Sequence, residues 1–481
     1  MKKRWLKRIL LAFTIFLLYV ILGCLIPFMN PKKVSQEFKD SVDVSSFYSN
    51  SDGDGVDRAA VVETSMDALN SRLHMIHQAT DRIVLSTFDI RTGQSCDDIF
   101  SALLEAADRG VTVQILVDGM YGSLHMNGEP EFYVLGTHPN VEIRFYNIPS
   151  LLMPWTIHGR MHDKYLLIDD KLLLMGGRNT FDYFLGEYNM KNLSYDRDVF
   201  IYNTAFQQPD NKESAVWQVD AYFKDMWESK YCRTVFDSPS GSMKKKLAGA
   251  ESALRAHYEE LAAGHPGLVT PGYDYTPDTV PIKKATLISN PTHIMGKEPW
   301  IFYQLKELMV QAEERVYLHT PYAVFSQDMY DGMAETAEKV DDFTMMVNSV
   351  AVGDNFMASS DYIHNKKKIL DTGVTLYEYN GDHSSHGKSM LIDHDISLIG
   401  SYNLDMRSTY LDTEIMLVIH GEEFNRQLEH HIEAMEEEAV LIQPDGSVAV
   451  SDLAREREVP PVKQVIFFFT SRLFQLIHYL I

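Results

Sequence analysis

The chain has 481 residues, of which 45% are hydrophobic and 23% are charged. This length and composition predict a globular protein of two or three domains and exclude a largely disordered or many-spanning membrane chain. Residues 1–33 contain seven basic side chains and no acidic one, so the rest carries 37 basic against 67 acidic side chains, a formal charge of −30. A body this acidic disfavours nucleic acid as a partner, because nucleic-acid binding normally uses Lys and Arg to neutralise phosphates.

The amino-terminal segment has the properties of a membrane anchor. Ile9–Met29 is 21 residues without a charge, and as a helix it would extend about 31 Å, enough to cross a bilayer core. Five basic residues precede this stretch and two follow it. The positive-inside rule therefore predicts a single-pass anchor in residues 1–33 of a cell-membrane protein, with the amino terminus in the cytoplasm and the body on the extracytoplasmic side.

Two other interpretations of this segment are weaker. A buried core helix would show polar periodicity, which the segment lacks. A cleaved lipoprotein signal is suggested by Ile21–Cys24, but the apolar residues continue past Cys24 through Phe28, where a processed lipoprotein would turn polar.

Cysteine usage gives little guidance. The chain contains Cys24, Cys96 and Cys232, which are too few for a disulfide framework or a zinc site. A Cys96–Cys232 bridge is compatible with a location outside the cytoplasm, and the sequence leaves it open.

The body contains two copies of one pattern, and four segments recur in the same order. The pairs are Arg82–Phe88 with Arg315–Pro321, Val141–Asn147 with Val374–Asn380, His162–Asn179 with His386–Asn403, and Ser194–Ile201 with Tyr410–Leu417. Such collinear similarity indicates an internal duplication. The predicted units are a flexible stalk at 34–60, a first repeat at 61–204, a connection at 205–283, a second repeat at 284–445, and a linker with an apolar helix at 446–481.

Each copy alternates β-branched runs with helical stretches. In the first copy we predict a strand at 82–90, a helix at 97–109 and a strand at 111–117. This alternation predicts an α/β fold in which each repeat is a mixed, largely parallel sheet covered by helices. The two repeats would be related by pseudo-symmetry and would share one active site.

The carboxyl-terminal residues Val465–Ile481 are apolar except for Ser471, Arg472, Gln475 and His478. The stretch is short for a membrane span, and Pro460-Pro461 separates it from the body. It predicts an amphipathic helix that either lies at the membrane interface or packs on the body. Both alternatives stay open.

The candidate catalytic residues lie in the third pair of segments, His162–Asn179 and His386–Asn403. His162 and Lys164 alternate with apolar residues at the strand period, so both point to one face, and Asp169 follows at the end of the strand. Gly176-Gly177 permits close backbone approach, and Asn179 supplies a neutral donor. The second copy repeats each element with His386, Lys388, Asp393, Gly400, Ser401 and Asn403.

Two such copies around one phosphodiester form a plausible catalytic centre. Two lysines and two asparagines offset the phosphate charge that repels nucleophiles. One unprotonated imidazole can attack phosphorus while the other, protonated, gives its proton to the leaving alkoxide. An acid must orient each ring, and Asp198 and Glu414 occupy matching places in the two repeats for that task.

Other interpretations of these residues carry less weight. A lone H-x-K-x-x-x-x-D occurs often by chance, but two copies within one duplication do not. A metal site could use His158 with His162, or Asp382 and His383 with His386, yet those spacings suit a helix and the flanking pattern is strand. The lysine run 366–368 is interpreted as a solvated helix face, with attraction of anionic headgroups as a secondary role.

These motifs resemble those of the phospholipase D superfamily. Over roughly residues 60–420 the chain is most similar to bacterial cardiolipin synthases with two such motifs. The supporting strings are RMHDKYLLID, MGGRN, VNSVAVGDN, ILDTGVTLYEYN and GSYNLDMRSTYLDTE. Two positions depart from the usual pattern: Asp412 stands where Asn is common, and Asp163 gives HDK in place of HNK.

The resemblance implies a two-step exchange through a phosphohistidine, without a metal or another cofactor. The leading reaction moves a phosphatidyl group from one phosphatidylglycerol to another, giving cardiolipin and glycerol, with the lipid bilayer as partner. The alternative is a lipid-hydrolysing phospholipase D, and a nuclease is less favoured. By analogy His162 is the nucleophile and His386 the general acid. The implied catalytic set is His162, Lys164, Asp169, His386, Lys388 and Asp393, with Asn179 and Asn403 on the phosphate; oligomeric state is left open.

Overall fold

The computed structural model describes residues 2–51, 53–449, 454 and 457–481. The amino-terminal helices are α1 (Lys2–Leu25) and α2 (Gln36–Ser41). The next elements are β1 (Asp57–Val62), α3 (Ser65–Gln78), β2 (Arg82–Thr87), α4 (Gln94–Asp108), β3 (Thr112–Asp118), α5 (Gly119–His125), α6 (Pro130–Gly136), β4 (Val141–Tyr146), β5 (Tyr165–Ile168), β6 (Leu172–Gly176), β7 (Ser194–Tyr195), β8 (Asp198–Asn203), α7 (Ala215–Trp227), β9 (Cys232–Val235), α8 (Gly241–Gly264) and β10 (Val280–Pro281).

The second half begins directly after β10. Its elements are β11 (Lys284–Ser289), α9 (Trp300–Met309), β12 (Arg315–His319), α10 (Gln327–Lys339), β13 (Asp342–Asn348), α11 (Phe356–Leu370), β14 (Thr375–Tyr379), β15 (Ser384–Ser385), β16 (Ser389–Ile392), β17 (Ile396–Gly400), α12 (Met406–Tyr410), β18 (Ile415–His420), α13 (Glu422–Glu436), β19 (Ala439–Ile442), β20 (Val448–Ala449) and α14 (Pro461–Leu473). Short 3-10 helices include Ile26–Phe28, Val44–Phe47, Pro154–Ile157 and Phe474–Leu480.

In the described part of the chain the long strands form two nine-stranded sheets with the same internal order. The first runs β10-β1-β8-β6-β5-β2-β3-β4-β9, and the second runs β11-β18-β17-β16-β12-β13-β14-β19-β20. Parallel ladders join β2-β3-β4 and β12-β13-β14, and the flanking ladders are antiparallel. The shared order confirms the predicted mixed α/β fold with two related repeats.

Local sequence explains the elements nearest the site. β5 reads Tyr-Leu-Leu-Ile and β6 Leu-Leu-Leu-Met-Gly, and both are buried along their whole length. Strands covered on both faces carry continuous apolar runs of this kind. Gly110 ends the turn after α4 with a φ of +97°, a left-handed conformation that glycine adopts without strain.

A central core joins the two repeats. Leu173 and Ile201 from the first sheet and Ile399 and Leu417 from the second belong to one fully buried cluster. Helices α7 and α13 also contribute side chains to it. Each fully buried Leu or Ile stabilises the fold by roughly 1.5–3 kcal/mol. This shared core therefore fixes the placement of one repeat against the other, on which the active site depends.

The prediction of a flexible stalk at 34–60 is wrong for most of that segment. Phe38 of α2 stacks on Trp300 with ring centroids 4.6 Å apart, and Val44 and Phe47 are buried in the core of the second repeat. The last residues of the segment already belong to β1. Stacking of Phe38 and burial of Val44 and Phe47 hold the segment against the second repeat. These apolar contacts outweigh the flexibility that the Ser- and Gly-rich composition around residue 50 predicts.

Residues 205–283, predicted as a connection, complete the first sheet. β9 pairs with β4 and β10 pairs with β1, while α8 packs against α4 and α6. In the described structure the cysteines are free, with Cys96 buried in α4 and Cys232 at the start of β9. Of the linker predicted at the start of 446–481, residues 450–453, 455 and 456 lie outside the described residues.

Both apolar ends of the chain are helical. Among the described residues, one helix, over Arg4–Phe28, is long and apolar enough to cross a bilayer. At the other end α14 packs on α11, so the alternative of packing on the body is correct for one face of the helix. Its opposite face is exposed, with Val465, Phe469 and Leu473 each more than half accessible.

Candidate active site

Each motif histidine lies just before an inner strand of its sheet. His162 precedes β5 and His386 precedes β16, with Lys164 and Lys388 two residues further on. All four side chains are buried or nearly so. The lysine ammonium of each motif donates to the carbonyl oxygen of its own histidine.

Short strand-like contacts between the repeats fix the two histidines. Met161 forms a parallel bridge with Thr413, and the His162 N–H donates to the Thr413 carbonyl at 3.3 Å. In the same way β15 pairs with β7, and the His386 N–H donates to the Tyr195 carbonyl at 2.6 Å. The backbone of each histidine is therefore held by the opposite repeat.

The acid that orients His162 is Glu414. Its Oε1 lies 2.8 Å from His162 Nδ1, and the hydroxyls of Ser401 and Ser408 also donate to its carboxyl group. Burial raises the pKa of Glu414 to about 8. Burial also lowers the pKa of His162 well below its ordinary value, and Lys164 adds to that effect. These contacts leave Nε2 as the ring nitrogen available for reaction.

The acid beside His386 is Asp196, which the sequence reasoning missed. Asp196 Oδ2 lies 2.6 Å from His386 Nδ1, and Lys388 Nζ lies 2.6 Å from the same nitrogen. Burial alone would raise the pKa of Asp196, but Lys388 and His386 overcome burial and lower it. Burial and Lys388 lower the pKa of His386, whereas Asp196 opposes both.

The prediction that Asp198 orients a histidine is wrong. Asp198 Oδ2 accepts from Arg72 at 3.0 Å and lies 3.2 Å from Arg178, inside the first repeat. The strand register explains the error, because Gly176 pairs with Asp198 while the equivalent Gly400 pairs with Met416. The residue equivalent to Glu414 is therefore Asp196, two positions earlier, and only the register could have revealed it.

The two lysines and two histidines form one electrostatic group. Burial lowers the pKa of Lys164 to about 7, with Glu414 opposing and Lys388 assisting. Lys388 and His386 also lower the pKa of His162, so charges of the second repeat act on the first. An entering phosphate diester would favour the charged form of both lysines, because an anion nearby raises the pKa of an ammonium group.

Asn179 and Asn403 follow the motif glycines at equivalent positions. Both side chains are buried, and within the described residues the Oδ1 atom of each has no hydrogen-bond partner. An unsatisfied buried amide costs free energy, which a bound ligand can recover. Asn179 also lines the cleft described below. Phosphate oxygens accept hydrogen bonds, so a role in binding phosphate would fall to the Nδ2 group of each amide and not to Oδ1.

Asp169 and Asp393 have a different place from the one predicted. Asp169 lies beyond the carboxyl end of β5, at φ +54°, and accepts from the N–H groups of residues 80–82. Asp393, at φ +49°, accepts from those of residues 313–315. Each carboxylate caps the loop before a central strand, so the prediction of a catalytic role is wrong and the role is structural.

Asp163, which gives HDK in place of HNK, directly follows His162 in the sequence and is fully buried. Its Oδ2 accepts from the hydroxyls of Tyr222 at 2.8 Å and Thr413 at 2.9 Å. Its Oδ1 is buried and unpaired among the described residues. Burial raises the pKa of Asp163 to about 7. Asp163 thus connects Tyr222 to the Thr413 segment, which carries Glu414 as its next residue.

The alternative metal ligands are not brought together. His158 packs edge-on against Phe28, 5.0 Å between centroids, and Asp382 pairs with Arg457. His383 lies beside the ring of Tyr195. Among the described residues no group of three or more His, Cys, Asp or Glu side chains is placed to hold a metal ion.

A cleft of about 750 Å³ leads to the site. His386, Asn179 and Phe88 line it, and Phe88 is edge-on to the ring of His162 at 4.9 Å. The remaining lining residues are both aromatic and polar and include Arg91, Tyr121, Phe181, Asp182, Tyr183, Phe184, Tyr322, Asp354, Phe356 and Met357. A cleft of this size accommodates a phosphodiester with part of an attached group.

Sequence comparison places this geometry in a family. Residues 73–227 and 305–436 match the family described as "Cardiolipin synthase, PLD-like domain". The chain belongs to this phospholipase D-like family. It is an enzyme of the phospholipase D superfamily, and both matched regions contain one of the histidines described above.

Two sequence relatives agree with that membership, and one solved structure has the same fold. The chain of this PLD-like enzyme is 27% identical to cardiolipin synthase C of Escherichia coli K12, over 75% of this chain and 81% of that protein. It is 24% identical to cardiolipin synthase A of Buchnera aphidicola subsp. Schizaphis graminum, over 80% and 69% respectively. The crystal structure of phosphatidylserine synthase from Haemophilus influenzae shares the fold, with a TM-score of 0.62 and 16% identity over 88% of this chain and 95% of that one.

Proposed function

We propose that this protein is a phosphatidyltransferase of the cardiolipin synthase type, located in the cell membrane with its body on the extracytoplasmic side. The observation that carries the proposal is the pair of buried histidines, each hydrogen-bonded to an acid of the opposite repeat. Family membership and two cardiolipin synthase relatives support phosphatidyl transfer as the reaction class. The apolar helix over Arg4–Phe28 supports the location.

The first step forms a covalent phosphatidyl–histidine. Nε2 of His162 attacks the phosphorus of one phosphatidylglycerol, a P–N bond forms and the P–O bond to the glycerol headgroup breaks. His386 gives its proton to the leaving glycerol oxygen. Lys164, Lys388 and the two asparagines stabilise the negative charge that develops on the equatorial oxygens.

The second step reverses these roles on a new acceptor. A hydroxyl of a second phosphatidylglycerol gives its proton to His386 and attacks phosphorus, and the P–N bond breaks. The products are cardiolipin, glycerol and the original enzyme. Every proton and electron pair in this sequence comes from the chain and the two lipids, so the proposed reaction needs no cofactor.

The pKa directions favour His162 as the nucleophile. Burial and two lysines keep His162 unprotonated, as a nucleophile requires. Asp196 remains ionised beside His386 and partly offsets the effect of Lys388, so His386 is the easier ring to protonate. The order proposed is therefore attack by His162 and proton transfer by His386.

Product identification tests this function. Purified full-length protein is incubated in detergent micelles with headgroup-labelled and acyl-labelled phosphatidylglycerol, and the lipids are separated. Cardiolipin with release of free glycerol is expected, and His162→Ala protein serves as the control for contaminating activity. Phosphatidic acid as the main product at high phosphatidylglycerol would identify a hydrolase. Cleavage of DNA with no lipid turnover would refute the proposal.

A further inference from the structure

The loop at residues 150–153 ends in three consecutive exposed apolar side chains. Leu151 is 67%, Leu152 74% and Met153 44% accessible. The loop is well ordered by its own contacts: the Met153 N–H donates to the Ser150 carbonyl at 3.0 Å, and the Ser150 N–H donates to the Thr156 hydroxyl at 2.9 Å. A rigid apolar tip in water is costly, so it points to an apolar partner.

This tip lies alongside the proposed membrane span. Tyr19 of α1 donates to the Leu152 carbonyl at 2.8 Å, and Cys24 lies 3.4 Å from the Pro154 carbonyl as a donor. Gly23 packs so tightly on Pro154 that a Cβ there would lie 2.4 Å from the proline Cγ. Helix α1 and the segment 152–154 therefore pack closely against each other.

The depth of the contact follows from helix geometry. Tyr19 is six residues before the end of α1 at Leu25, which is about 9 Å along a helix. A loop that touches Tyr19 therefore reaches well inside the apolar thickness that α1 spans. Backbone carbonyls at such a depth must be hydrogen-bonded within the protein, and α1 supplies the donors for Leu152 and Pro154.

The carboxyl-terminal helix extends the same surface. Leu25, Phe28, Trp155, Phe474 and Leu480 belong to one apolar cluster, which joins the end of α1 to the loop and to the segment after α14. The outward face of α14 is apolar, with accessibility of 65% at Phe469 and 75% at Leu476 just beyond the helix.

Charge also distinguishes this end from the rest of the body. Residues 461–481 contain Lys463 and Arg472 but no acidic side chain, although the body as a whole is strongly acidic. Arg472 lies 4.1 Å from the centroid of Phe468. An arginine over an aromatic ring beside an exposed apolar face is suited to anionic lipid headgroups.

The cleft opens beside this surface. Phe356 and Met357 line the cleft, and Phe356 stacks on Phe467 of α14 with centroids 5.0 Å apart. We propose that residues 150–153 and the outward face of α14 insert into the outer leaflet around α1, so that lipid substrates enter the cleft from within that leaflet. This inference rests on the proposed membrane location, and it adds that part of the catalytic body is embedded.

Spin-label depth measurements test the inference on full-length protein in phosphatidylglycerol-containing vesicles. Labels are placed at Leu152→Cys and Phe469→Cys, in a background in which Cys24→Ser and Cys232→Ser remove the accessible thiols. Relaxation by oxygen, which concentrates in lipid, is compared with relaxation by a water-soluble nickel chelate. Both labels are expected to respond to oxygen at least several-fold more than to the chelate.

Two reference positions separate the possible failures. A label at Ile15→Cys, in the middle of α1, reports whether that helix lies in lipid, and Ser252→Cys on α8 reports an aqueous position. If the label at Ile15 responds mainly to oxygen while the labels at Leu152 and Phe469 respond mainly to the chelate, this inference is overturned and the membrane location stands. A water-like response at Ile15 would overturn the location and this inference together.

Discussion

Asp196 Oδ2 lies 2.6 Å from His386 Nδ1, although the two residues are 190 positions apart and belong to different repeats. Glu414 and His162 are related in the same way at 2.8 Å. Each half of the chain therefore supplies one histidine and the acid that orients the other histidine. This arrangement has consequences for substitutions on both sides of the site.

The two histidines should respond differently to a substrate with an activated leaving group. A p-nitrophenyl ester of phosphatidic acid leaves without protonation, so His386→Ala should still form the phosphatidyl–enzyme with it, whereas His162→Ala should not. Both variants should lose at least about 1,000-fold in turnover of phosphatidylglycerol. Rapid quenching and mass analysis of the protein measure the adduct. An adduct in His162→Ala but not in His386→Ala would exchange the two roles.

Asp196→Asn and Asp198→Asn should separate orientation from folding. Asp196→Asn is expected to lose turnover by roughly 100-fold or more, because an amide no longer fixes the His386 ring. Asp198→Asn leaves Arg72 and Arg178 without their buried carboxylate, so it should instead lower the free energy of unfolding by about 3–5 kcal/mol. Steady-state kinetics and urea unfolding measure the two effects. The reverse pattern would contradict the assignment of Asp196.

Turnover should rise with pH through the titration of the Glu414–His162 pair. Burial raises the pKa of Glu414 to about 8, so the pair holds an extra proton below that pH. A protonated Glu414 donates to Nδ1, and Nε2 then carries the ring hydrogen and cannot attack phosphorus. The rate therefore falls as pH decreases below about 8. In Glu414→Gln, kcat/KM should be lower, and the fall in rate at low pH should occur at a different pH. If the fall stays at the same pH, it belongs to another group.

Asp163→Asn should stabilise the protein above neutral pH. Burial raises the pKa of Asp163 from an ordinary 3.8 to about 7, so ionising it in the folded state costs stability as pH rises between those values. The carboxamide oxygen can still accept from Tyr222 and Thr413. The gain should be small near pH 4 and reach the order of 4 kcal/mol above pH 7. Urea unfolding of both proteins at the two pH values checks it; equal gains would contradict the buried ionisation.

Charge on the outward face of α14 should impair transfer between lipids. Phe469→Glu places a carboxylate on the proposed membrane surface, at a side chain of α14 that is exposed. We expect turnover of phosphatidylglycerol in vesicles to fall several-fold, with a smaller loss in detergent micelles, where the substrate reaches the cleft without a leaflet. Phe469→Leu is the matched control. Equal losses in vesicles and micelles would show that the residue acts through folding instead.

The duplication and the motif histidines were predictable because they depend on local sequence. His162 and His386 each occur in a string that repeats in order, and the strand period already placed each lysine on the same face as its histidine. Those signals fixed the fold class and the core of the site.

The orienting acid was not predictable in the same way. Asp196 and Asp198 are two residues apart, so the strand period would place both on one face and cannot distinguish them, and a two-residue shift of register exchanges them. Asp169 was misassigned because its spacing from His162 recurs between Asp393 and His386, which suggested a shared catalytic role. The structure shows that Asp169 caps a loop. The packing of Phe38 on Trp300 depends on contacts 262 residues apart, which composition near residue 38 does not report.

The crossed contacts between the repeats have the form of an isologous interface. A two-fold axis that relates the repeats would exchange the His162–Glu414 contact with the His386–Asp196 contact. The flanking bridges, Met161–Thr413 and Ser385–Tyr195, are related in the same way. A chain that held a single repeat would have lacked an oriented histidine and a second imidazole until two copies met. The protein thus has the geometry of a two-fold homodimer, with both copies of the repeat in one chain.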